Sequence, residues 1–289
     1  KDGVIIGILL NNGIETRFVP KEKFSYFSDR VFVNAKISLD GKITATKGKI
    51  PVLDYKDYIS ERNKVLTKDK NNMVLYHGSP DIIEKPSFGY GNKRNDYGVG
   101  FYCTQNIELG REWACSKNPN GILNTYILKK EGLNVLNLSH RTKEDVLTWF
   151  SILISNRIIK VRPGTKKDNI ETLRRAYLPK NYRSYDVIVG YRADDSYFSY
   201  AMDFAMGNLS LEGLSDAMFL GGLGLQVVLI SKKAFSNLLF IDYEQVDSGY
   251  RRKFESRDKQ ARNGYFKYKD IGKVFVEDIV RELKSNGKM

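Results

Sequence analysis

Two cysteines, two histidines and no long apolar run set the first limits on this chain of 289 residues. Cys103 and Cys115 are too few to staple a fold of this length, so a reducing compartment suits it. Neither cysteine has zinc-site spacing, and His77 and His140 are the only histidines, so metal chemistry is not expected. The apolar run Val4 to Leu10 is far shorter than the roughly 20 residues that cross a bilayer. No charged leader with a small-residue cleavage site is visible. A cytoplasmic protein with no membrane partner is expected, with delivery into a target cell as the alternative. Internal repeats, low-complexity tracts and coiled-coil heptads are also missing.

Positive charge, by contrast, is plentiful. Lysine and arginine (47) outnumber aspartate and glutamate (34), giving +13 at neutral pH. Such a field attracts nucleic acid, acidic partners and anionic small molecules, although a basic protein with no polyanion partner is an equal reading. A hydrophobic content of 42% places the chain among globular proteins rather than disordered ones.

Residues 1–68 alternate short strand-like runs with turns: Gly3 to Leu10, Glu15 to Val19, Val31 to Ile37 and Lys42 to Ala45, separated by Asn11-Asn12-Gly13 and Asp40-Gly41. They read as a small β-rich N-terminal domain, followed by a connecting helix from Tyr55 to Leu66 and a linker at 68–72. From 73 to 289 helices and strands mix. Strands are expected at Gly121 to Lys129, Asn134 to Leu138, Tyr185 to Gly190 and Leu239 to Glu244. Thr142 and Asp145 form a capping box for a helix carrying Val146, Trp149, Phe150 and Leu153 into the core. Ile170, Leu173 and Tyr177 share one face of a helix in the basic stretch Lys160 to Arg183. Ser210 should start another helix, through Leu220. Tyr250 to Arg262 is a basic helical run whose interleaved acids suit pairing at i,i+3 and i,i+4. A last amphipathic helix is expected from Ile271 to Leu283. The fold class is α+β.

The chemistry concentrates in three places. Met73 to Tyr76 reads as a short strand ending on His77 and Gly78, with Ser79 next, where a glycine lets a flat ring approach the backbone. Asp96-Tyr97-Gly98-Val99-Gly100-Phe101-Tyr102-Cys103 reads as a bend running into a strand, with Tyr102 on one face and Cys103 on the other, in the core. Trp113 follows eleven positions after Tyr102, at an expected helix start. Two aromatics and a histidine beside a glycine can make a slot for a planar heteroaromatic ring. Farther along, Gly221-Gly222-Leu223-Gly224 leads into a strand carrying Gln226. Its spacing is neither a P-loop nor a dinucleotide fingerprint.

His-Gly-Ser, Gly-Phe-Tyr and an aromatic eleven residues later resemble the NAD site of the ADP-ribosyltransferase superfamily, in its diphtheria-toxin and poly-ADP-ribose-polymerase branch. With Glu112-Trp113-Ala114, Ala193-Asp194-Asp195-Ser196-Tyr197-Phe198 and Leu220 to Leu229, the pattern is closest to a bacterial transferase-like family of unassigned function. It covers roughly residues 73–265. The resemblance implies a split antiparallel β core with surrounding helices, and NAD as co-substrate. His77 would bond the adenine-side ribose, the Gly78 backbone would hold the nicotinamide carboxamide, and Tyr102 and Trp113 would flank the ring. Ser79 and Asp195 would complete the binding set. His77, Tyr102 and Gln226 would take the catalytic positions.

Two positions depart from the family. Gln226 stands where a glutamate grips the ribose 2′-hydroxyl; an amide can hydrogen-bond there but brings no negative charge to an oxocarbenium-like transition state. Gly110 stands where the polymerase branch has serine. Asp194 and Asp195 are ordinary N-cap residues, and are also the acids best placed to substitute for the glutamate. The expected function is a mono-ADP-ribosyltransferase acting on a protein or nucleic acid, a bacterial toxin, effector or defence protein with an antitoxin or inhibitor as partner. NAD glycohydrolysis, a catalytically inactive NAD- or nucleotide-binding module, and a basic nucleic-acid-binding protein are the alternatives.

Overall fold

The computed structural model describes residues 3–10, 13–20, 32–37, 43–47, 55–116, 120–157, 161–193, 195–218, 224–264 and 272–287. Two antiparallel hairpins come first: β1 (Gly3–Leu10) with β2 (Gly13–Pro20), and β3 (Phe32–Ile37) with β4 (Ile43–Lys47). They form two separate two-stranded sheets. Helix α1 (Tyr55–Leu66) has the bounds expected from its sequence.

The rest of the chain is α+β, built on two sheets. The first has three antiparallel strands in the order β11 (Leu238–Val246), β7 (Gly121–Lys129), β5 (Asn72–Ser79). The second has four, in the order β6 (Phe101–Cys103), β10 (Leu225–Leu229), β9 (Val187–Tyr191), β8 (Val135–Asn137). All pairs are antiparallel except β8 with β9, which run parallel. A single bridge, Tyr76 to Thr104, joins the sheets at the edges of β5 and β6.

Period-two alternation explains the layers. Phe101, Cys103, Val187, Val189, Val227 and Leu229 of the second sheet pack on Leu75, Tyr126 and Leu128 of the first. The opposite face of the second sheet, with Ile188 and Val228, carries the largest core. That core is closed by α3 (Lys143–Asn156), α4 (Thr165–Tyr177), α5 (Asp195–Ala205), α6 (Leu211–Ala217) and α9 (Val276–Ser285). On the outer face of the first sheet, Val74, Tyr76 and Leu123 pack under α2 (Ile107–Ala114).

Local signals account for most helix boundaries. Thr142 and Asp145 make the expected capping box, worth about 1 kcal/mol, and Trp149 is buried in the core. Ser210 caps α6 through the Gly213 N–H; Phe219 and Leu220 lie outside the described residues. The last helix starts later than its apolar pattern suggests. Phe275 is its N-cap, donating its backbone N–H to Asp278 at 3.0 Å. Val276, Ile279, Val280 and Leu283 then form the buried stripe. Short α7 (Lys232–Ser236) and the basic α8 (Gly249–Gly264) complete the chain.

Helix α1 is tied to the first sheet by Arg62. Its guanidinium, almost wholly buried, pairs with Asp242 of β11 at 2.8 Å and reaches the Tyr76 hydroxyl at 3.4 Å. Asn63 donates to the same hydroxyl at 2.7 Å.

Candidate functional site

Strand β5 includes His77 and Gly78, as expected, and stays paired with β7 one residue further, through Ser79. Tyr76 exchanges both of its backbone hydrogen bonds with Thr104 of β6, at 2.8 and 2.9 Å. In an antiparallel strand, bonding direction alternates by residue. Gly78 therefore turns its N–H and C=O away from β7, towards the side on which β6 diverges. That leaves one half-buried peptide edge, a donor and an acceptor side by side, with no hydrogen bond to either among the described residues.

The His77 imidazole lies 4.3 Å from the Phe101 ring, centre to centre, and its Nδ1 is 2.7 Å from the Tyr102 carbonyl oxygen. A carbonyl only accepts, so Nδ1 carries the proton and Nε2 keeps its lone pair. Burial holds this imidazole below its ordinary value of 6.5, with the Tyr102 bond opposing in part. The neutral tautomer is thus the resting form. No hydrogen bond engages Nε2 among the described residues, leaving it free to accept one from a hydroxyl.

The space at Gly78 is used differently from the sequence expectation. A Cβ there would lie 2.3 Å from the Ala114 nitrogen and 2.4 Å from the Gly110 oxygen. The missing side chain admits helix α2, not a ring, and it is the peptide edge that remains open. Gly110 has a matching reason: its own Cβ would lie 2.9 Å from Tyr76 Cβ. A serine has no room at that crossing. Trp113 stands near the end of α2 rather than at a helix start, one turn beyond this crossing.

Tyr102 follows a bend in which Gly98 has φ of +77°. Its hydroxyl donates to the Gly98 carbonyl at 2.6 Å and accepts from the Tyr97 N–H at 3.1 Å. Burial raises this phenol well above its ordinary range, so it stays neutral and serves as a fixed ring. Cys103 points the other way, into the core, as expected. The bend is itself anchored: Asp96 accepts from Arg157 (2.9 and 2.6 Å) and from the Ala193 N–H (2.8 Å). Burial nevertheless raises the Asp96 carboxyl, outweighing Arg157.

Gln226 sits on β10 opposite Gly190 of β9. It is 6% exposed, and its Oε1 is buried with no hydrogen-bond partner. Val228, two residues on and on the same face, pairs with Tyr102. Ser79, however, is turned aside; its hydroxyl donates to the Asp81 carbonyl and accepts from Asn124 at 3.2 Å. Asp195 opens α5, but its side chain, like all of Asp194 and of 219–223, lies outside the described residues.

The stretch from 73 to 240 matches a family model described as "Protein of unknown function (DUF3990)", over more than half of the chain. The chain belongs to this DUF3990 family. No curated protein matches the sequence. Every candidate residue of the DUF3990 protein, from His77 to Gln226, falls within the matched stretch.

One residue that the sequence reading passed over stands beside them. Arg192, just past the end of β9, lays its guanidinium 5.2 Å from the Trp113 ring and 5.6 Å from the Phe254 ring of α8. Its Nη1 is buried without a partner. Nothing local in sequence marks it, since both rings come from distant segments. Helix α8 is held over α2 by Arg257, which binds both carboxylate oxygens of buried Glu112 at 2.9 and 2.8 Å. Glu112, Arg252, Lys253, Ser256 and Arg257 line an open depression of about 520 Å³ along this seam. Among the described residues, no group of histidine, cysteine and carboxylate side chains could hold a metal ion, and no helix is long and apolar enough to cross a membrane.

Proposed function

We propose that the DUF3990 protein binds NAD at the parting of its two sheets and transfers ADP-ribose from it to a macromolecular acceptor. The observation that carries this reading is the Gly78 peptide edge beside the unengaged Nε2 of His77. A primary carboxamide needs one donor and one acceptor on adjacent backbone groups, and a ribose hydroxyl needs an acceptor. The Tyr102 and Trp113 rings supply apolar faces for the nicotinamide. The buried, unpartnered Oε1 of Gln226 fits a second ribose hydroxyl, because a buried polar atom without a partner costs stability until a ligand or water meets it.

In the transfer, a lone pair on the acceptor attacks the nicotinamide-bearing ribose carbon. The carbon–nitrogen bond electrons leave with neutral nicotinamide, and the acceptor loses a proton to water or a base. Positioning would be the protein's main contribution. Charge stabilisation is the weak point: Asp96 and Glu112 are engaged by Arg157 and Arg257, and Gln226 carries no charge. That observation favours a second reading, a nucleotide-binding module without catalysis. The net charge of +13 fits a nucleic acid as acceptor, and equally an acidic protein.

Incubation with NAD labelled on its adenylate half, with nicotinamide followed in parallel, tests both. Label passing to a macromolecule in the wild type and lost in His77→Ala supports the transferase. Activity only in Gln226→Glu supports the inactive module. Absence of NAD binding in the wild type and in Gln226→Glu refutes both.

A further inference from the structure

We infer that Arg192 is an anion-binding residue of this site, one that takes the pyrophosphate of a bound dinucleotide. The inference rests on the nucleotide reading above. It starts from an imbalance. Arg157 is neutralised by Asp96, and Arg257 by Glu112. Arg192 makes no close ion pair and no hydrogen bond among the described residues, although its Nη1 is shut off from solvent; only the more distant charge of Asp96, already bound by Arg157, reaches it. Stacking between Trp113 and Phe254 holds the guanidinium flat and satisfies its faces, not its edge. A fork of N–H donors kept rigid and unpaired is suited to two oxygens of one anion.

Register then connects this edge to Gln226. Gln226 pairs with Gly190 and Leu225 with Tyr191, so Arg192 follows directly on the end of the β9–β10 pair at which Gln226 sits. The two buried side-chain polar atoms without partners among the described residues, Arg192 Nη1 and Gln226 Oε1, are a donor and an acceptor at that same end of the pair. A ligand that satisfies both must present an acceptor oxygen next to a hydroxyl donor. Phosphate next to ribose has that chemistry. The arrangement also couples ligand to α8: Phe254 covers the guanidinium from a helix that lies beyond the family-matched stretch.

Tryptophan fluorescence reads this directly. The chain has two tryptophans; Trp149 is buried in the core, so Trp113, in contact with the guanidinium, is the reporter. Wild type, Arg192→Gln, Arg192→Lys and Arg252→Gln would be titrated with inorganic pyrophosphate, ADP-ribose and adenosine, after melting curves confirm folding. Loss of a charge-assisted fork should weaken pyrophosphate and ADP-ribose about 10- to 100-fold in Arg192→Gln, and less in Arg192→Lys. Adenosine should be unaffected, and Arg252→Gln, exposed on α8, should stay within about twofold. Equal affinity in Arg192→Gln and wild type, or equal weakening in Arg252→Gln, overturns the inference. So does a wild type that binds neither anion. Arg192-dependent binding of pyrophosphate without binding of ADP-ribose keeps the anion site and removes the nucleotide reading.

Discussion

Gly78→Ala places a methyl group into the backbone of helix α2. Its nearest neighbours would be the Ala114 nitrogen at 2.3 Å and the Gly110 oxygen at 2.4 Å, with the Trp113 carbonyl carbon at 2.8 Å. Ordinary contacts to carbon are about 3.5 Å, so the helix must retreat by about 1 Å. None of these atoms belongs to a flexible side-chain end, and strand β5 is held from the other side by β7. Overpacking of this kind costs about 3 kcal/mol, reduced by about 0.7 kcal/mol because alanine loses less entropy in a strand than glycine. For a chain of this size the net loss is a fall in Tm of about 5–9 °C.

Gly110→Ala is the informative comparison. Its closest obstacle, Leu123 Cδ1 at 2.6 Å, is the end of a side chain that can rotate, while Tyr76 Cβ at 2.9 Å is fixed but needs a smaller retreat; the helix gains about 1 kcal/mol in propensity in return. Its Tm should therefore fall by about 2–4 °C, less than that of Gly78→Ala. Differential scanning calorimetry of the three proteins decides the matter. Gly78→Ala as stable as wild type, or less harmful than Gly110→Ala, would refute the reasoning that the helix is seated in the glycine's vacant side-chain space.

Two further predictions concern titration and reactivity. Because burial keeps His77 below 6.5 in the folded state, the unfolded chain binds its proton first as pH falls. Stability should be fully expressed above about pH 6.5 and decline as pH drops towards the folded value. Urea unfolding between pH 8 and 5 should show this decline in wild type and a shallower one in His77→Phe. Both cysteines are buried, and burial raises both thiols. A thiol reagent at pH 8 should modify neither in the folded protein within minutes and both in urea; fast native labelling would contradict the packing of Cys103 between the sheets.

Much of this structure was written in short-range patterns. The bounds of α1, the Thr142–Asp145 capping box and the opposed faces of Tyr102 and Cys103 all follow from neighbours within four residues. So does the split into strands and helices after residue 73. Misreadings arose where distant partners decided the outcome. Strand β5 takes in Ser79 because β7 pairs with it, and the Ser79 hydroxyl turns towards Asn124 of that same strand. Glycine at 78 looked like an opening for a ring and is instead occupied by a helix that follows thirty residues later in the chain. The α9 start moved because the Asp278 carboxylate takes the Phe275 N–H. Arg192 could not be found by periodicity at all, since its meaning lies in the Trp113 and Phe254 rings.

The Arg62 contact has a consequence for how this chain can be divided. The family-matched stretch begins at Met73 and ends at Phe240, three residues into β11. A fragment cut to those limits would lose Asp242 and the helix whose arginine binds it, exposing the Tyr76 hydroxyl that Asn63 and Arg62 now cover. It would also strip Val276, Ile279, Val280 and Leu283 from the main core. What sequence kinship marks as a unit thus leaves out side chains on both flanks that pack against it. Its two flanks supply the latch on one sheet and the stopper of the other.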